Sequence, residues 1–239
     1  MKASLGQRVT AECAGTAMLV AIVVGSGIAA QRLSNGDPGL QLLENAFATA
    51  GGIAALIWTF GPVSGAHFNP IVTIAARLSN QVTTHDALAY VAAQVGGACA
   101  GASIANVMFG LEPITVSTTV RSGSGLWVGE IVATFGLVIV ILGVSRGSQG
   151  IRSLVPPIAV AGYLAAAYWF TSSTSFANPA VTIGRTLSNT FAGIEPTSAP
   201  AFIAAQFTGA TAAIALARYL FPELSADDAT ALHDHSGTT

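Results

Sequence analysis

The sequence predicts an all-α membrane protein in which six membrane-crossing helices and two re-entrant half-helices form an inverted repeat. Three observations carry this. Only 8% of the 239 residues are charged and 52% are hydrophobic, against about 25% charged in a soluble domain, and the mean hydropathy is +0.64. Six apolar stretches, residues 9–30, 40–60, 87–109, 126–144, 154–170 and 199–221, come close to or exceed the roughly 20 residues a helix needs to cross the hydrocarbon core. An Asn-Pro pair followed by an apolar helical run is written twice, at Asn69-Pro70 and Asn178-Pro179, 109 residues apart.

The first stretch, 9–30, follows a short basic N-terminus and is longer than a signal-peptide core, so it is expected to stay in the mature protein as the first span. Span two, 40–60, runs into the polar approach Ser64-Gly65-Ala66-His67-Phe68 and then into Asn69-Pro70-Ile71-Val72. Asn is a favoured N-cap, and Pro fits the first helical position, where its missing N–H is not needed. The helix that starts there, 69–79, rises about 15 Å, half the membrane. The third span, 87–109, completes the first repeat, 9–110.

The second repeat, 126–221, runs through spans 126–144 and 154–170 to the second half-helix, 178–188, and ends on span 199–221. Residues 69–80 and 178–189 match at Asn, Pro, Val, Thr, Ile, Leu, Ser and Asn. Glu12 and Thr16 recur as Glu130 and Thr134, and Ala92-Ala93-Gln94 with Gly97-Ala98 recurs as Ala204-Ala205-Gln206 with Gly209-Ala210. Three spans are an odd number, so the second half inserts upside down and the half-helix N-termini meet near the midplane. Residues 1–221 are read as a single domain, and 222–239, with Asp227, Asp228, His233, Asp234 and His235, as a solvated polar tail.

With the N-terminus inside, Lys2, Arg8, Arg77, Arg146, Arg152 and Arg218 are cytoplasmic and Arg32, Arg121 and Arg185 lie outside, which satisfies the positive-inside rule with both termini in the cytoplasm. A net charge of −2 and the lack of a basic run argue against nucleic acid as a partner. Cys13 and Cys99 fall inside apolar stretches and read as small packing residues. No ligand cluster for a metal and no cofactor-binding motif is found.

Glu12 and Glu130 lie within apolar spans, where a carboxylate is costly without partners. Re-entrant backbone carries N–H groups that lipid cannot satisfy, so both are read as braces for these loops. The rival is a proton relay, which predicts gradient-dependent transport. Each Asn that caps its own helix keeps NH₂ donors to spare, and the extended approaches, 62–68 and 171–177, hold carbonyls free to line a cavity. Such a stripe suits a neutral hydroxyl-bearing solute, while a cation meets two positive helix ends.

The motifs Ser-Gly-x-His-x-Asn-Pro at Ser64 to Pro70 and Asn-Pro-Ala at Asn178 to Ala180, with the Glu and Gln repeats, resemble the aquaporin and aquaglyceroporin family, the major intrinsic proteins. The resemblance covers most of the chain. It implies an aquaporin-like fold and passive flux of water and small uncharged solutes across the lipid bilayer. It also implies a homotetramer with one pore per protomer, no cofactor and no enzymatic activity. Asn69, Pro70, Ile71, Asn178, Pro179 and Ala180 would form the pore centre, with His67, Phe68, Val72 and Phe176 along the lining. Ile71 replaces the usual Ala and is expected to narrow or reshape the centre.

Val181, three residues past Asn178 and on much the same helix face, stands where the family ordinarily has Arg. Arg185, four residues further on, is read as too distant to replace it. Counting from the two Asn residues places the remaining filter positions at Thr49, Ala166 and Ser175, giving a wide outer opening without a fixed cation. Val181 after Phe176-Ala177-Asn178-Pro179-Ala180, with Ala166-Ala167-Tyr168-Trp169-Phe170, is similar to a bacterial aquaglyceroporin subgroup associated with arsenic resistance. That similarity implies arsenite, methylarsenite and small polyols as solutes, in a bacterial plasma membrane. Alternatives are a water or glycerol facilitator with a degenerate filter and a non-conducting scaffold; an enzyme is disfavoured because His67 has no nucleophile partner.

Overall fold

The computed structural model describes residues 3–145 and 155–221, which form eight helices and, among the described residues, no strand. Lys2, Arg146, Arg152 and the tail from 222 lie outside the described residues. The first half contains α1 (Leu5–Leu33), α2 (Pro38–Ser64), the half-helix α3 (Pro70–Leu78) and α4 (Thr84–Met108); the second contains α5 (Ser124–Val144), α6 (Val155–Phe170), the half-helix α7 (Pro179–Arg185) and α8 (Ala199–Leu220). Helices α1, α2, α4, α5 and α8 are each long and apolar enough to cross a membrane, and α6 is described over 16 residues.

Local chemistry sets the ends. Ser4 and Gln7 form a reciprocal capping box at α1. Asp37 caps α2 ahead of Pro38, and Thr83 caps α4. Helix α2 stops at Gly65, whose φ of 90° a residue with a Cβ rarely adopts. The second half-helix is shorter than the 178–188 expected. Beyond Arg185 the chain leaves the helix because the Thr186 and Leu187 carbonyls accept from Ser117 and Thr115 of the loop between α4 and α5.

The halves pack alike, with α1 against α4 and α5 against α8. These crossings are close because glycine faces backbone: a Cβ on Gly97 would lie 2.3 Å from the Cys13 carbonyl oxygen, and one on Gly209 would lie 2.3 Å from that of Ile131. Small residues at such contacts are what allow helices to approach in lipid. Large apolar side chains, Phe47, Leu88, Trp169 and Phe170 among them, are exposed on the outside. The polar residues Glu12, Glu130, Gln94, Gln206, Thr73 and Thr182 are fully buried. An apolar shell around a polar interior is the arrangement a protein dissolved in lipid requires.

Candidate functional site

The two approaches to the half-helices are strained in the same way. Ala66 and Phe68 have positive φ (51° and 49°), as do their repeat mates Ser175 and Ala177 (52° and 47°), at about 1–3 kcal/mol for each such residue. What holds them is a carboxylate. Glu12 accepts from the backbone N–H groups of His67 (3.0 Å) and Phe68 (2.7 Å), from Ser64 Oγ and from Gln94 Nε2. Glu130 accepts from Phe176 (2.8 Å), Ala177 (2.9 Å) and Gln206 Nε2. Successive N–H groups turned to one side form a natural anion cradle, and charge-assisted bonds offset the burial of each carboxylate. Gln94 and Gln206 in turn donate to Thr73 and Thr182 on the half-helices.

Asn69 and Asn178 meet at the junction. The Asn69 Oδ1 accepts from Ile71 N, and that of Asn178 from Ala180 N and Val181 N, as N-caps do. The Asn69 Nδ2 donates to the Ala177 carbonyl and the Asn178 Nδ2 to the Phe68 carbonyl, both at 2.8 Å. Each NH₂ thus braces the opposite half with one hydrogen and keeps the second for the cavity that both residues line.

That cavity, of about 230 Å³, follows one stripe of each neighbouring helix: Thr49, Ile53 and Ile57 on α2, and Pro156, Val160, Leu164 and Tyr168 on α6. Residues 65–69 and 175–178 line it continuously, with Val72 and Val181, equivalent in the repeat, on the two half-helices. His67 hydrogen-bonds Thr73 through Nδ1 (3.1 Å) and packs edge-on to Tyr90. The Ser175 hydroxyl is buried and has no partner among the described residues, and Tyr168 donates to Thr49 Oγ1 (3.2 Å).

Three expectations are corrected. Ala166 does not reach the cavity: it is exposed on the outer face near Trp169 and Phe170, while Leu164 and Tyr168, two residues to either side, point inward. Residues two apart on a helix lie on nearly opposite faces, so a short miscount through the connecting loop exchanges an aromatic for a small residue. Ile71 is buried against Val138, Ala210 and Ala213 rather than in the lumen, so it does not narrow the centre. Pro70, Pro179 and Ala180 are also buried behind the lining.

The third correction concerns charge. Arg185 is buried and lines the cavity alongside Val181, its guanidinium carbon 3.4 Å from the Phe176 ring centroid and its Nε bonded to the Ala192 carbonyl. The Val181 end therefore carries a fixed cation. Helical side chains lean toward the N-terminus, so a long one starting a turn later reaches back. Arg121, 5.2 Å from the same ring, donates to the Gly193 and Phe191 carbonyls. Burial lowers its pKa, opposed by Glu130 and Tyr168, and a guanidinium remains charged at neutral pH.

A lipid-embedded helical bundle with a lumen built from two inverted half-helices defines a multi-pass membrane channel. The model of the major intrinsic protein family matches residues 1–175. Aquaglyceroporin AqpS of Rhizobium meliloti is 49% identical over 216 residues, covering 90% of this chain and 91% of its own length. The probable aquaporin AqpM of Archaeoglobus fulgidus is 32% identical over 93% of this chain and all of its own. This chain belongs to the major intrinsic protein family, whose members are passive channels and not enzymes. The fold is also that of the Plasmodium falciparum aquaglyceroporin, at a TM-score of 0.69 and 20% identity over 92% of this chain and 98% of that one.

Proposed function

We propose that this channel conducts arsenite, methylarsenite and small polyols, together with water, through a filter kept open by Val181. The observation that carries the reading is that Val181 shares the cavity wall with the Ser175 hydroxyl, which has no partner among the described residues, and with the hydrogen-bonded pair Thr49 and Tyr168. A neutral polyhydroxyl solute exchanges its water for that hydroxyl and the spare Asn69 and Asn178 donors, while the valine and isoleucine walls take its apolar side. Trivalent arsenic hydroxide is such a solute and mimics a small polyol. The likeness to a protein named an aquaglyceroporin supports the polyol part.

In this reading residues 1–221 are one channel domain with repeats 9–110 and 126–221. The Val181 end is extracytoplasmic, both termini are cytoplasmic, and four copies assemble in a bacterial plasma membrane. The test is stopped-flow flux in proteoliposomes. Water, glycerol and arsenite should each exceed the bare-lipid rate, and arsenite flux no greater than in empty vesicles would leave a water or glycerol facilitator.

A further inference from the structure

We propose that Arg185 supplies the charge rejection of this pore from one helical turn beyond Val181, so that cation exclusion and size selection reside on two different residues. The inference rests on the channel reading above and adds to it the residue that keeps the Val181 end closed to ions.

Four observations converge on Arg185. Among the described residues lining the cavity it is the sole Asp, Glu, Lys or Arg, so it is the fixed charge a permeating ion meets there. Its Nε is spent on the Ala192 carbonyl, and its terminal NH₂ groups have no acceptor among the described residues, which leaves them to the lumen. Its guanidinium lies flat enough on Phe176 to bring the centres within 3.4 Å, and the same ring is approached by Arg121, which also ties the 191–193 loop in place. The charge is thus mounted on a braced wall. The repeat supplies the fourth: the position equivalent to Arg185 in the first half is Ala76, which also lines the cavity. Both positions have the same register toward the lumen, and only one end is charged.

The physical consequence is a division of labour. A guanidinium on a side chain that starts at position 181 would occupy the passage itself. One that starts at 185 and reaches back along the wall leaves the volume beside Val181 open to a bulky neutral solute. A cation at the same point is still repelled, and more strongly than in water because the wall is apolar.

The test follows radiolabelled methylammonium at pH 6, where it is a compact cation, together with glycerol, in the same proteoliposomes. Wild type should pass glycerol and exclude methylammonium. Arg185→Met should raise methylammonium flux at least roughly tenfold with glycerol flux kept or increased, and Arg185→Lys, which keeps the charge, should stay tight. Should Arg185→Met fail to reach the membrane, Arg185→Gln keeps a donor for the Ala192 carbonyl and carries the same expectation. A charge-neutral variant that passes glycerol without a cation leak overturns the assignment, as does an Arg185→Lys that leaks equally. Wild type that passes neither glycerol nor arsenite overturns the channel reading as well.

Discussion

At the scale of single residues, the proposed reading gives the width of the pore to one position and its charge to another. Val181 is buried at the wall of the cavity that Ser175 and Thr49 also line. Val181→Arg would send a long side chain back toward the helix start, into that space and beside an existing guanidinium. Glycerol and arsenite permeability should fall by roughly tenfold or more, about 1.4 kcal/mol of barrier, while water flow persists; stopped-flow scattering measures both, and unchanged solute flux would remove Val181 from the constriction. Val181 was legible because three residues after Asn178 is nearly one turn. The rise along the axis alone puts Arg185 out of reach of that wall, and it is the backward lean of its side chain that brings it to the cavity. Spacing from Asn178 crosses a connecting loop and falls on Ala166, whereas the four-residue spacing of Val160, Leu164 and Tyr168 along α6 marks the stripe that faces the cavity.

At the scale of elements, the repeat predicts contacts better than it predicts ends. Glu12 with Gln94, and Glu130 with Gln206, recur in the sequence and perform the same bonding in each half. Gly97 against Cys13 and Gly209 against Ile131 recur likewise, each following its Glu and Gln by a fixed step. The length of α7 was not legible from its own residues, since the chain leaves the helix to bond residues 115 and 117, some seventy positions away. Because the obstacle at both glycines is backbone and cannot turn aside, Gly97→Ala and Gly209→Ala should each force a crossing apart and cost about 1–3 kcal/mol. Thermal unfolding in detergent should show similar losses for the two; a neutral Gly97→Ala would mean that α1 and α4 are free to separate.

At the scale of the whole molecule, the two halves join at a junction that neither could make alone. Asn69 donates to the Ala177 carbonyl and Asn178 to the Phe68 carbonyl, so each re-entrant loop is fastened by the cap of the other. The same loops are strained and held from behind by Glu12 and Glu130, which makes the junction one network of bonds rather than two independent caps. Asn69→Ser and Asn178→Ser keep an oxygen for the N-cap and remove the cross-donor, so each should cost about 1 kcal/mol. Loss of the first brace lets the halves relax apart and devalues the second, so the double variant should cost less than the sum by about 0.5 kcal/mol or more. Unfolding of the four proteins in detergent measures that difference, and strict additivity would mean that each half-helix is held by its own repeat alone.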